Sequence, residues 1–243
     1  MKIKIIVPIT TKEFEESTRE EVIKFASPGT EMSVEALQYG TASIESSYDE
    51  VLNGPGIIKM AEKAQTEGFD GVFIDCMGDP ALDAVREKLE IPVVGPARAS
   101  MIYAADLAHR FSVVTVLENV VVLVENIALL LGLRDKLASV RHVNIPVLAL
   151  TDIKKLTETL IEESLRAIKE DGAHAIILGC TGMLGVADDL SQALKNNGYD
   201  IPVIYPVAVS IKYLETLISL KLKQSKKTYL SPSEKERNIW EVI

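Results

Sequence analysis

The chain has 243 residues, 47% of them apolar and 25% charged, with 14 glycines, 10 prolines and only two cysteines. At roughly 150 residues per domain, that is one large domain or two small ones, with enough chain for a substantial core. The formal charge of −9 opposes contact with a nucleic-acid backbone or an anionic membrane, so neither is expected as a partner.

Residues 1–8 combine two lysines with a short apolar run that ends at Pro8, and no small-residue cleavage pattern follows, so no signal peptide is expected. The longest apolar approach, 120–131, is broken by Glu125 and Asn126 and falls short of the roughly 18 apolar residues of a spanning helix. Two cysteines are too few for a disulfide scaffold. A cytoplasmic protein is expected.

Short β-branched runs at 3–7, 32–37, 72–74, 93–94, 113–116, 147–150, 176–178 and 203–204 alternate with helical patterns, the mark of an α/β chain with parallel sheets. The first helix is expected over 12–26, where Phe14, Thr18, Val22 and Phe25 share a face, opened by a capping box from Thr10 to Glu13. Another is expected over 156–169, with Leu160, Ser164, Leu165 and Ile168 on one side.

An internal repeat organises these elements. Gly68 precedes Cys76 by the same interval as Gly172 precedes Cys180. Each cysteine ends an apolar strand, and each is followed by a helix and then by Ile91-Pro92-Val93-Val94-Gly95-Pro96 or Ile201-Pro202-Val203-Ile204-Tyr205-Pro206. The first strands, 3–11 and 111–118, also match in character. Two similar parallel-sheet half-domains facing across a cleft are expected, 1–97 plus 207–222 and 98–206. The segment 223–243 changes composition and reads as an extension. Its Tyr229, Leu230, Trp240, Val242 and Ile243 could either dock on a partner subunit or fray.

Each cysteine falls where a strand gives way to a helix. In an open α/β sheet that is the carboxyl edge, where ligands bind, and helix N-termini there favour a thiolate or an anion. After Cys76, Asp79 is expected to cap a helix beginning at Pro80. After Cys180, Gly182 and Gly185 let main-chain amides approach a small ligand. Two thiols from two related halves suit a reaction that joins mirror images: one thiolate takes a proton from one face of a carbon, and the opposite thiol protonates the other.

Other readings compete with this one. A single free cysteine is most often a small buried hydrophobe, but paired placement in a repeat argues for chemistry. A redox pair lacks C-x-x-C. His109, His142 and His174 follow no ligand spacing, so no metal is expected. Gly179, Gly182 and Gly185 imitate a dinucleotide fingerprint, but Asp200 precedes the next strand instead of ending it. Walker A, H-E-x-x-H and G-x-S-x-G patterns do not occur.

Four stretches carry a resemblance over residues 1–222: Ser43-Ile44-Glu45-Ser46-Ser47-Tyr48-Asp49-Glu50, Cys76-Met77-Gly78-Asp79-Pro80-Ala81-Leu82-Asp83, His109-Arg110-Phe111-Ser112-Val113-Val114-Thr115 and Leu178-Gly179-Cys180-Thr181-Gly182-Met183. On these the chain resembles the aspartate/glutamate racemase superfamily, cofactor-independent enzymes of two α/β domains with one catalytic cysteine from each, and within it the hydantoin and allantoin racemase branch. The resemblance implies Cys76 and Cys180 as the acid/base pair. It implies Gly78, Asp79, Thr181, Gly182 and Met183 as substrate lining, Ile44 and Tyr48 as a loop toward the substrate side chain, and Thr10 and Thr115 at the two strand ends.

The branch usually begins Asn-Pro-Asn-Thr, where this chain has Val7-Pro8-Ile9-Thr10. It often carries Asp before Pro or Gly late in the chain, where Tyr205 stands here. Gly182 replaces the histidine of the amino-acid racemases. The expected activity is therefore racemisation of a 5-substituted hydantoin or allantoin without cofactor or metal, by a homo-oligomer acting on a small molecule. An aspartate-like amino-acid racemase, a malonate decarboxylase or a maleate isomerase is the alternative within enzymes. A two-lobed binding protein is the alternative outside them.

Overall fold

The computed structural model describes residues 1–237. Trp240, Val242 and Ile243 of the extension lie outside the described residues. The chain runs β1 (Lys2–Val7), α1 (Glu13–Phe25), β2 (Glu31–Ala36), α2 (Ser47–Thr66), β3 (Gly71–Ile74), α3 (Leu82–Lys88), β4 (Val93–Val94) and α4 (Pro96–Leu107). It continues through β5 (Phe111–Thr115), α5 (Glu118–Leu130), β6 (Leu137–His142), α6 (Ile153–Asp171), β7 (Ile176–Leu178), α7 (Ala187–Asn196), β8 (Val203–Ile204) and α8 (Pro206–Ser219).

These strands form two four-stranded parallel sheets, ordered β2-β1-β3-β4 and β6-β5-β7-β8. The α/β class with paired parallel sheets is thus as expected, and the repeat is a repeat of topology. Strands β3 and β7 are buried throughout, which is why they read as unbroken apolar runs. Helix α6 is capped at its start by Asp152, whose side chain accepts from the Lys155 N–H, and at its end by Gly172 at φ 73°, a left-handed stop that favours glycine.

The helices after the two edge strands change partners. Ala97, Met101 and Ala104 of α4 pack with Phe111, Val113, Ile177 and Ile204 of the second sheet. Val207, Ile211 and Leu214 of α8 pack with Ile3, Ile5, Phe73 and Val94 of the first. Buried Glu215 of α8 also accepts from the Ser27 amide at 2.7 Å and from the Thr30 hydroxyl at 2.8 Å.

Three local expectations are corrected. The run at 147–150 is a short 3-10 turn over Val147–Ala149, and β6 lies earlier. No capping box opens α1. Its N-cap is Lys12 without a side-chain bond, while the Thr10 amide donates to the Thr41 carbonyl and the Thr11 hydroxyl to the Ala42 carbonyl. The threonines have found partners in the loop after β2. Helix α3 starts at Leu82, not Pro80, because Asp79 and Ala81 both adopt left-handed backbone, at φ 49° and 55°.

Candidate active site

Cys76 and Cys180 sit just past β3 and β7, at the carboxyl edges of the two sheets, and both are free and partly exposed. The edges meet. The Thr181 hydroxyl donates to the carbonyl oxygen of Asp75 at 3.2 Å, so the residue after one cysteine is bonded to the residue before the other. The thiols are near enough that ionisation of Cys180 opposes that of Cys76.

The Gly182 N–H donates to Cys180 Sγ at 3.4 Å, and the Gly78 amide is the main-chain group that favours the Cys76 thiolate. These amides favour the thiolate, but burial outweighs them. It pushes the Cys180 thiol up to about 12, helped by Asp75 and Glu45. It holds Cys76 well above the usual range, helped by Cys180, Glu50 and Asp75. Both thiols thus hold their protons more tightly than a free cysteine does.

Apart from the partner thiol, the charges acting on the two cysteines are carboxylates. Asp75 is buried, and Thr18 donates to its Oδ2 at 3.2 Å while its Oδ1 has no partner. Burial pushes its carboxyl up to about 6. Glu50, in the first turn of α2, lies against Gly78, where a Cβ would collide with its Oε1, an atom that also has no partner. Burial first, then the charges of Asp79 and Asp49, push Glu50 up to about 7. Glu45 joins the halves: its Oε1 accepts from the Val147 N–H at 2.7 Å and its carbonyl from the Asn119 side chain at 2.5 Å.

The wall beside Cys180 is apolar. A Cβ on Gly182 would lie 3.5 Å from Cys180 Sγ, 3.1 Å from Phe14 Cε1 and 3.2 Å from Leu150 Cδ1, so both side chains converge next to the sulfur. Ile44 packs against the same core. Behind them, the Tyr205 hydroxyl donates to buried Glu21 at 2.9 Å.

The other sequence-predicted residues divide. Gly78, Thr181 and Gly182 line the junction of the thiol turns. Thr10 lies partly buried in the loop after β1. Tyr48 is 72% exposed on α2 and packs under nothing. Thr115 is fully buried, with its hydroxyl donating to the Gly179 carbonyl at 3.3 Å, and Met183 is a core side chain. Asp79 caps a helix, but not its own. Its carboxylate accepts from the Ala97 and Arg98 amides at 2.9 and 3.0 Å, at the N-terminus of α4.

Sequence reasoning missed Asp75, Glu50, Glu45, Phe14 and Leu150 as neighbours of the thiols. Adjacency to Cys76 is the available signal for Asp75, and a place in the stretch from Ser43 to Glu50 is that for Glu45 and Glu50. Asn53 was also missed. Fully buried, it accepts from the Thr41 amide and donates to the Pro8 carbonyl, both at 2.8 Å, and so fixes the two loops that border the cleft.

The profile of the Asp/Glu/Hydantoin racemase family matches residues 3–214. The chain belongs to this family. It is a racemase by that membership, an isomerase. Its relatives include hydantoin racemase of Pseudomonas sp. strain NS671, 40% identical over 97% of this chain and 94% of that protein. The solved structure of allantoin racemase from Klebsiella pneumoniae superposes with a TM-score of 0.91 at 34% identity, covering 100% of this chain and 98% of that one. Allantoin racemase from Pseudomonas fluorescens gives a TM-score of 0.91 at 32% identity, over 98% and 99% of the two chains. Among the described residues of this racemase, no helix is long and apolar enough to cross a membrane.

Proposed function

We propose that this racemase inverts C5 of a hydantoin bearing an apolar 5-substituent, with Cys76 and Cys180 as its acid/base pair. The observation that carries the reading is the matched pair of thiols at facing sheet edges, each followed two residues on by a glycine whose amide favours the thiolate and each sensing the same buried Asp75.

One thiolate takes the C5 proton and becomes a thiol, and the electron pair of the broken C–H bond spreads onto the adjacent carbonyl. The opposite thiol gives its proton to the other face and is left as the thiolate. Atoms and charge balance, and the reverse reaction exchanges the two roles. Free main-chain amides of the two thiol turns would stabilise the carbonyl oxygen as it gains charge.

The acidic surroundings support a neutral ring over a dicarboxylate. An aspartate-like or malonate-like substrate would place further negative charge beside Asp75, Glu50 and Glu45. Convergence of Phe14 and Leu150 beside Cys180 supports an apolar substituent over the polar ureido group of allantoin.

The test is solvent-deuterium incorporation at C5, followed by NMR, for hydantoins with alkyl or aryl substituents, allantoin and free aspartate. The expected order is apolar hydantoin first and aspartate inactive, with Cys76→Ala and Cys180→Ala each lowering racemisation at least ~100-fold. Unchanged exchange in both variants refutes the two-thiol reading. Activity on aspartate alone refutes the substrate.

A further inference from the structure

The extension after α8 docks on the first half of its own chain. Lys223 pairs with Glu90 at 2.6 Å, and the Gln224 amide donates to the Leu89 and Ile91 carbonyls, each at 2.9 Å. Lys226 donates to the Arg86 and Glu87 carbonyls at 3.1 and 2.9 Å, satisfying the open end of α3. The segment then presents Tyr229. Its ring lies 5.4 Å from the Arg86 guanidinium, and its hydroxyl oxygen accepts from Arg86 at 3.1 Å and from Arg98 at 3.3 Å.

Arg98 connects this contact to the site. Its guanidinium pairs with Asp83 at 2.9 Å and lies 3.7 Å from Asp79, while its Nε is buried with no hydrogen-bond partner. Asp79, by capping α4, anchors the turn that leads out of Cys76, and its own amide donates to the Cys76 carbonyl at 3.0 Å. That turn holds two of the left-handed non-glycine residues, Asp79 and Ala81, a conformation that persists only when its surroundings enforce it. The equivalent turn after Cys180 needs no such support: its left-handed residue is Gly185, and Met183, the counterpart of Asp79, is buried in the core.

We infer that Tyr229 is a positioning residue for Cys76: it fixes Arg98, Arg98 and the start of α4 fix Asp79, and Asp79 holds the strained turn that sets the sulfur. The extension thereby acts on one thiol of the pair and not on the other. The reach to turnover rests on the proposed role of Cys76, whereas the reach to the sulfur itself does not.

The test uses the full-length chain with Tyr229→Phe, which keeps the ring over Arg86 and removes only the acceptor. Alkylation of each cysteine by iodoacetamide is followed by peptide mass spectrometry. The Cys76 rate is expected to change by about threefold or more, with Cys180 unchanged. Racemisation of an apolar hydantoin is expected to lose roughly three- to tenfold in kcat with little change in KM.

Arg98→Lys, which keeps a positive charge beside Asp79 and Asp83, should reproduce the effect, and the double variant should add nothing to it. Leu230→Ala, at a 68% exposed neighbour, should leave both rates unchanged. Equal changes at both cysteines, no change at Cys76, or additive effects of Tyr229→Phe and Arg98→Lys would overturn the inference. If Cys76→Ala leaves exchange intact, the functional reading fails while the alkylation rates still decide the role of Tyr229.

Discussion

The hydroxyl of Thr181 and the main-chain carbonyl of Asp75, 3.2 Å apart, join the two sheets between their cysteines. Thr181→Val keeps the volume and deletes this bond, leaving a buried carbonyl short of a partner. The expected loss is about 1–2 kcal/mol of stability and roughly tenfold in turnover, because the spacing of the two sulfurs loosens. Thr181→Ser should restore both. Denaturant titration with steady-state rates checks this, and a valine variant at full rate would show that the bond does not set the spacing.

Two glycines flanking Cys180 should respond differently to the same methyl group. At Gly179 a Cβ would meet the Thr115 Cα at 2.6 Å, the Val114 oxygen at 2.7 Å and the Thr115 nitrogen at 2.8 Å, all of them backbone atoms unable to yield. Gly179→Ala is expected to cost about 3 kcal/mol or more. At Gly182 the neighbours are the ends of the Phe14 and Leu150 side chains, which can give way. Gly182→Ala should fold normally and shift preference toward smaller 5-substituents. Melting curves and a substrate series separate the two cases.

Since burial holds both thiols above neutral pH, with Cys180 at about 12, the base form is scarce in the free enzyme. The kcat/KM for exchange should climb about tenfold per pH unit across the neutral range, up to the limit of enzyme stability. A plateau beginning near neutrality would show that some other group is the base.

Glu50 gives a separate pH signature, in stability. Its carboxyl rises from 4.5 to about 7 on folding, so between those values the native state holds a proton that the unfolded chain has released. Stability from this group therefore falls as pH rises through that window and is level above it. Glu50→Gln should be the more stable protein above the window, by about 1 kcal/mol after allowing for screening of a part-exposed side chain. The difference should vanish below the window. Urea titrations on either side of it measure this, and a pH-independent difference would place the effect in packing.

The sequence disclosed what depends on burial and repetition. Strands β3 and β7 announced themselves because both faces are covered, and the matched glycine-to-cysteine interval revealed the paired topology. Strand β6 was hidden because an edge strand needs no apolar run: Leu137-Ala138-Ser139-Val140-Arg141-His142 is mostly half-buried. The 147–150 run misled because Pro146 and the Glu45 carboxylate shape it into a turn. Side-chain partners remote in sequence were the least legible. Nothing local at Asp79 announces that its carboxylate caps a helix beginning at Pro96, and nothing at Glu50 announces that it fills the space left by the missing side chain of Gly78.

The exchanged helices α4 and α8 bear on how the cleft can move. Each sheet is roofed partly by a helix that follows the edge strand of the other sheet, with Met101 lodged against the second core and Leu214 against the first. A wide hinge opening would part α4 from α8 and break the contact of Tyr103 with Tyr213, whose ring centroids lie 6.3 Å apart, unlike the free swing of lobes joined only by a linker. Substrate entry is then expected by local displacement of the loops around Thr41 and Glu45. By the same logic, a chain severed between residues 97 and 98 would leave the first fragment without α8, which covers its sheet, while the second keeps Met101 and Ala104 on its own, so the first should fold only in the presence of the second.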